Sequence, residues 1–456
     1  MSQNNIDRLG TEPVGKLLFK LAIPTVTAQI INMLYNIVDR IFIGHIPEIG
    51  TAALTGVGVC LPLIMIVAAF SSLVSSGGAP RASIRLGEGK KDEAELILGN
   101  SFTAQIIISV FLTAVLLIFN RPLLLAFGAS KDTIGYAVRY MNIYAVGTIF
   151  VQVTLGLNAF ISAQGFTKVS MFTVLIGAVS NIILDAVFIR GFGMDVQGAA
   201  LATIISQGIS GTLAFLFLIG KHTNLRLRLS NLALKPKIIF PCLALGLSMF
   251  IMTASESLIS VCYNSSLQKY GGDIAVGAMT ILTSVMQFAM LPLQGIGQGA
   301  QPIASYNFGA GKTDRVKKTF KLLLIVNMAY STLFWAAVML MPKVFASVFT
   351  PDPELAVYAA EAMRIYFAVM IVFGMQVACQ MLFISLGNAL CSITVAVVRK
   401  FVLIIPLMYI LPAFAKNKVN AVFLSEPISD FIAVTFTTIL FVLMFRKALA
   451  PGKKKQ

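Results

Sequence analysis

The feature that most limits this chain is the recurrence of long apolar runs, such as that from Val169 to Ile189, whose one charged residue is Asp185. Twelve such runs can be counted, near 17–43, 52–76, 95–119, 135–160, 169–189, 197–219, 238–265, 274–298, 319–341, 356–385, 391–411 and 419–445. An apolar run of about 18 residues or more is long enough to cross a bilayer as a helix. Of the 456 residues 57% are hydrophobic and 12% charged, with mean hydropathy +0.86. That is too little charge to cover a soluble surface. A β-barrel would show short alternating segments, and none is present. The expected fold is an all-α polytopic membrane protein with twelve transmembrane helices.

The formal charge of +16 has a membrane reading rather than a nucleic-acid one. With an inside N-terminus, the inner loops hold Arg81, Arg85, Lys90 and Lys91, then Arg226, Arg228, Lys235 and Lys237, then Lys312, Arg315, Lys317 and Lys318. Lys453, Lys454 and Lys455 join them, whereas the outer loops hold little beyond Arg121, Lys131, Arg190, Lys269, Lys343, Lys416 and Lys418. Basic residues concentrate on the cytoplasmic side of membrane proteins, so both termini are expected there. The first residues, MSQNNIDRLGTEPVGK, do not read as a signal peptide. The five cysteines stand singly in apolar segments and read as packing residues, with neither disulfide nor metal implied.

A repeat is visible by eye. GGAPRASIRLGEGKKD (77–92) aligns without gaps on GAQPIASYNFGAGKTD (299–314), 222 residues later, with eight of 16 positions identical. The same offset pairs Phe127 with Phe349 and MNIY (141–144) with MRIY (363–366). Six helices per repeat give both halves the same orientation, so a pseudo-twofold axis along the membrane normal is expected, as in transporters. The expected organisation is a six-helix lobe over 1–220, a basic cytoplasmic linker over 221–237 and a second six-helix lobe over 238–456.

Acids inside the runs are few: Asp39 and Asp185 in the first half, Glu256, Glu361 and Asp430 in the second. Each costs on the order of 3 kcal/mol in hydrocarbon, so such residues face a cavity or a partner. Asp39 and Asp185 both lie near outer helix ends, where an acid can also reach interfacial water. Thr203 falls at similar depth, and Asn181 lies one turn from Asp185 on the same face. Two carboxylates with Asn and Thr oxygens suit a proton or a Na⁺, because two acids close together in a low dielectric do not both ionise easily. Pro24 permits a bend in helix 1, either one coupled to cation occupancy or a static kink. Glu256 lies mid-helix and is expected to be buried. Arg399 and Lys400 in one span and Asp430 in the next form either an internal ion pair or a second functional cluster; Glu361 reads as a helix-end acid. His45 and His222 fall in loops, which argues against a histidine relay. The 20 Met and 33 Phe suit a cavity for lipophilic guests, although lipid-facing packing also explains them.

AIPTVTAQIINMLYNIVDRIFIGH (22–45), LNAFISAQGFTKVSM (157–171), SNIILDAVFIRGFGMDVQGAALATIISQ (180–207) and SEPISD (425–430) resemble the multidrug and toxic compound extrusion (MATE) family, in the branch of Gram-positive multidrug exporters. The resemblance implies antiport, with H⁺ or Na⁺ entering as a lipophilic, often cationic compound leaves. It implies a cation site at Asp39, Asn181, Asp185 and Thr203 with Tyr140 and Asn158, a bendable helix 1 at Pro24, and a helix 7 acid at Glu256. By position Asn158 lies nearer the inner face, and helix 10 lacks the deep acid of some relatives. The expected setting is the bacterial plasma membrane, with small organic substrates and membrane lipids as partners, no nucleic acid, no cofactor beyond the coupling ion, and a monomeric state.

Other readings leave marks that differ. A lipid-linked sugar flippase of the same superfamily usually has a more basic cavity and often two further helices. A major facilitator protein should show GxxxDRxGRR after helix 2, where this chain has GGAPRASIRLGEGKKD. A channel, sensor or scaffold does not call for a repeat with acids confined to bundle interiors. No nucleophile, metal or phosphate-loop constellation points to an enzyme, and GEGKKD lacks the Walker spacing.

Overall fold

The computed structural model describes residues 3–448, with side chains from Asp7 onward; Lys453, Lys454 and Lys455, counted above among the inner bases, lie outside the described residues. Every regular element among the described residues is helical. A short helix α1 (Gln3–Thr11) precedes α2 (Val14–Gly44), α3 (Gly50–Gly87) and α4 (Lys91–Ala126). Next come α5 (Ile134–Val146), α6 (Thr148–Ala163), α7 (Thr167–Asp185) with a π-helical turn (Ala186–Gly191), and α8 (Val196–Ile219). The second half comprises α9 (Pro236–Gly309), α10 (Thr313–Leu340), α11 (Pro342–Phe349), α12 (Pro353–Tyr366) and α13 (Phe373–Ser385). It ends with α14 (Ala389–Val397), a π-helical stretch (Val398–Ile404), α15 (Ile405–Phe414) and α16 (Lys418–Ala448).

Nine helices among the described residues are long and apolar enough to cross a membrane, and two bent pairs add two crossings: α5 with α6 at 55°, and α12 with 370–385 at 53°. The 74 residues of α9 would reach about 110 Å at 1.5 Å per residue, far beyond a hydrocarbon core of ~30 Å. Gly272 (φ 66°, ψ −160°) divides it into two arms, each long enough to cross. Only glycine adopts that backbone conformation readily.

The offset of 222 residues seen in the sequence recurs in the architecture. Val14 and Pro236, Lys91 and Thr313, Thr167 and Ala389, and Val196 and Lys418 each start a helix; Gly87 and Gly309 each end one. Gly89 and Gly311, and Gly165 and Gly387, take the same left-handed turn conformation. The halves meet along α2, α3 and α9, in the part of each helix nearest the turns that carry the inner bases, here called the basic end. A Cβ on Gly87 would stand 2.0 Å from the carbonyl oxygen of Tyr306, and one on Gly309 would stand 2.0 Å from that of Ile84. Residues 84 and 306, and 87 and 309, exchange roles across this seam, as a local twofold requires. Gly77 against Cys242, Gly246 against Leu73, Gly295 against Val26 and Gly299 against Ala22 extend the close approach. Small residues let helix backbones pack tightly where apolar burial alone offers little gain over lipid. Toward the other end Phe70 packs edge-on against Phe250, with ring centroids 5.0 Å apart.

Two parts of the basic end were not legible as ordered structure. The basic connector is bound along the first half: Gln164 Oε1 accepts from Thr223 Oγ1 (2.9 Å) and from the backbone N–H of Asn224 (2.9 Å) and Leu225 (2.8 Å). Farther along, Asn100 Oδ1 accepts from the backbone N–H of Lys235 at 2.6 Å, and buried Glu95 pairs with Arg228 at 2.8 Å. The N-terminal segment forms α1, whose end carbonyls are taken by the second half. Leu9 O accepts from Asn307 Nδ2 (2.8 Å) and Arg315 Nη2 (3.0 Å), and Gly10 O accepts from Lys312 Nζ (2.9 Å).

Candidate functional site

In the first half, Asp39 near the far end of α2 and Asp185 at the end of α7 are both buried, as is Asn181 one turn before Asp185. They are interior side chains, not helix-end acids reaching for water. The two carboxylates lie within electrostatic reach of each other. Tyr140 on α5 is buried with its hydroxyl near Thr203 of α8, and its ring stacks on Tyr144 at 6.3 Å. Tyr35 stands one turn before Asp39 on α2, with its hydroxyl near Gln207 of α8. Four helices thus converge on one pocket. Asp39 Oδ1, both oxygens of Asp185 and both amide atoms of Asn181 are buried with no hydrogen-bond partner. A buried polar group left unpaired costs about 1–3 kcal/mol, and more if charged. Four buried oxygens, one on Asp39, two on Asp185 and one on Asn181, thus meet neither a hydrogen-bond donor nor an ion-pair partner among the described residues.

Asn158 is not part of this group. Its Oδ1 accepts from Thr173 Oγ1 at 2.7 Å, and its Nδ2 donates to Thr154 O at 3.0 Å. Thr173 precedes Asn181 by eight residues, about 12 Å along the helix toward the basic end. Asn158 joins α6 to α7 at that lower level. Pro24 lies in the basic-end part of α2, next to Thr25, whose hydroxyl donates to Gly295 O of the second half at 2.6 Å.

In the second half, charges gather between α9, the π-helical stretch and α16. Arg399 Nε donates to Asp430 Oδ1 at 2.7 Å and Nη2 to Glu426 Oε1 at 3.3 Å, and its guanidinium lies over the Phe373 ring. Tyr263 OH donates to Glu426 Oε2 at 3.0 Å. Lys400 Nζ meets Glu256 Oε1 at 2.5 Å. Glu256 differs from expectation: its side chain is 54% exposed, because it stands at the bundle surface and reaches inward to the buried Lys400. Arg399 and Asp430 are paired, within a cluster of three acids and two bases. Glu361 is exposed at the end of the molecule opposite the basic end.

Sequence reasoning passed over Glu426, Tyr263 and Tyr35. A signal was available for two of them: Glu426 precedes Asp430 by four residues and Tyr35 precedes Asp39 by four, so each shares a helix face with a recognised acid. Tyr263 had none, since its hydroxyl finds its partner only through the packing of α9 on α16. Both π-helical stretches lie at these sites, one just after Asp185 and the other holding Arg399 and Lys400. Such local widening of a helix is frequent at functional positions.

Repeated helical halves that pack closely against each other at one end and hold buried ionisable clusters are the make-up of a polytopic membrane transporter. Comparison with known proteins gives its family. The MatE family model matches residues 24–187 and again 248–410, and the chain belongs to this family of transporters. Among curated proteins it is similar to the multidrug export protein MepA of Staphylococcus haemolyticus, 23% identical over 423 residues, 92% of each chain. MepA of Staphylococcus aureus strain NCTC 8325 is 24% identical over 406 residues, 88% of each. Among solved structures, the MATE multidrug transporter DinF-BH has a TM-score of 0.88 at 34% identity, covering 96% of this chain and 98% of that one. A MATE transporter in a bent conformation has a TM-score of 0.91 at 20% identity, covering 97% and 98%.

Proposed function

We propose that the chain is a secondary antiporter of the plasma membrane that exports lipophilic, often cationic compounds in exchange for H⁺ or Na⁺ by alternating access. The observation that carries this reading is the group of unpartnered buried polar atoms on Asp39, Asn181 and Asp185. A proton or Na⁺ arriving there satisfies the oxygens of Asp39, Asp185 and Asn181, and its departure strands them again. Tyr140 and Thr203 complete the cation site in this reading, and Asn158 braces the helices below it. Occupancy is transmitted along α2, which carries Asp39 toward one end and Pro24, Thr25 and Val26 against the second half toward the other. A change of bend at Pro24 then acts directly on the seam between lobes 1–220 and 238–456. The connector 221–237, bound along α4 and α6, travels with the first lobe.

The excess of basic residues at one end supports a cytoplasmic position for both termini, and on that reading the tightly packed seam is the cytoplasmic gate. The relatives named for multidrug export support small organic substrates; membrane lipids as the surrounding partner and a monomeric working unit complete the reading. No cofactor is needed beyond the coupling ion. An exposed acid such as Glu256 is cheapest facing water between the lobes, where it and the Arg399–Asp430 pair help receive a cationic guest. The test is efflux of a lipophilic cationic dye from proteoliposomes, with a pH gradient and a Na⁺ gradient imposed separately. Efflux driven by one of them is expected; no response to either rejects secondary antiport.

A further inference from the structure

In the first half α4 continues past Pro122 to Ala126, whereas its counterpart α10 stops at Leu340 and the chain restarts as α11 after Met341 (φ −127°, ψ 48°). The break leaves a half-open cleft of about 520 Å³ between α11 and α12, at the end opposite the basic end. Lys343, Glu361 and Arg364 line it, and among the described residues none of the three makes an ion pair within 4.0 Å or a side-chain hydrogen bond. Leu340, Val344 and Val357 are among its apolar wall residues and are themselves exposed. The corresponding place in the first half is closed to such use. Arg139 stands there at the repeat position of Glu361 and is tied to Asp195 at 2.6 Å.

We propose that this cleft binds one membrane phospholipid whose headgroup carries hydrogen donors. Two unpaired cations complement a phosphodiester, and the unpaired carboxylate complements an amine or hydroxyl beyond it. The helix ends place these groups at headgroup depth, and an acyl chain continues along Leu340 and Val344. The apolar wall selects a lipid over a soluble phosphate. Phosphatidylglycerol and phosphatidylethanolamine satisfy all three side chains; phosphatidylcholine, without a donor, leaves Glu361 unpaired.

The test is native mass spectrometry of the full chain in detergent with each lipid added in turn. One phosphatidylglycerol or phosphatidylethanolamine should be retained, and phosphatidylcholine about tenfold less. Lys343→Gln with Arg364→Gln should lose retention, and Glu361→Gln should retain lipid without rejecting phosphatidylcholine. Lys416→Gln, elsewhere at the same end, should change nothing. Equal retention of all three lipids, equal retention by the double variant, or displacement by soluble glycerophosphate would overturn the proposal. Transport is not part of the readout, so its outcome and that of the antiport reading stand apart.

Discussion

Asp185 and Arg399 both sit on the fifth crossing of their half, each beside a π-helical turn, yet their surroundings differ in kind. Asp185 faces a second acid and an amide, with no base in hydrogen-bond reach and neither oxygen bonded. Arg399 is held by two carboxylates and lies over an aromatic face, and its neighbour Lys400 holds a third acid. Equivalent halves of the chain thus carry one cluster whose oxygens lack a protein partner and another whose charges pair with each other. An unsatisfied pocket can change state with occupancy at little structural cost. A satisfied network resists change, because removing one partner strands the others.

This contrast can be broken experimentally. The largest effect is expected from Asp185→Asn, which should lower export in inverted vesicles about a hundredfold or more, equivalent to about 2.7 kcal/mol. The protein should still insert and fold, since that carboxylate has no protein hydrogen bond to lose. Full export by this variant would sink the cation site in the first half. Arg399→Met should act in the opposite manner, destabilising the fold by roughly 3–5 kcal/mol through the stranded Asp430 and Glu426. Adding Asp430→Asn and Glu426→Gln should restore much of that loss; thermal unfolding in detergent reads both, and an unchanged single variant would mean the network holds nothing.

The seam offers a symmetric test of smaller size. Gly309→Ala drives a methyl into the Ile84 carbonyl, and Gly87→Ala drives one into that of Tyr306. Both should raise thiol labelling of cysteines introduced inside the basic-end seam, and to similar degrees. Labelling raised by only one would break the twofold reading. The smallest change belongs to Asn158→Ala, with about 1 kcal/mol of stability lost along with its bond to Thr173. Ion coupling in proteoliposomes should persist, and its loss would return Asn158 to the cation site.

Much of this was legible before any coordinates. The apolar runs marked the crossings because a helix in lipid must satisfy its own backbone and clothe itself in apolar side chains, a local demand written residue by residue. The repeat was legible because equivalent turns need the same residues, as at Gly89 and Gly311. Asp39, Asn181, Asp185 and Thr203 were nominated together because depth along a helix follows from counting. Asn158 shows the limit of resemblance: its neighbours in the sequence resemble the family's, but its amide is engaged by Thr173.

By itself, then, the sequence determined the class of molecule, the apolar segments long enough to cross a membrane, the internal repeat and the positions where charge enters those segments. Each depends on composition, period or spacing along one chain. Only the tertiary structure decided that the first acid pair lacks a base, that Glu426 and Tyr263 join Arg399, that Glu256 stands exposed, and that connector and α1 are fastened at the basic end. These depend on which faces of distant helices meet. A side chain's worth is set by the partner it finds there, and no local pattern encodes that partner.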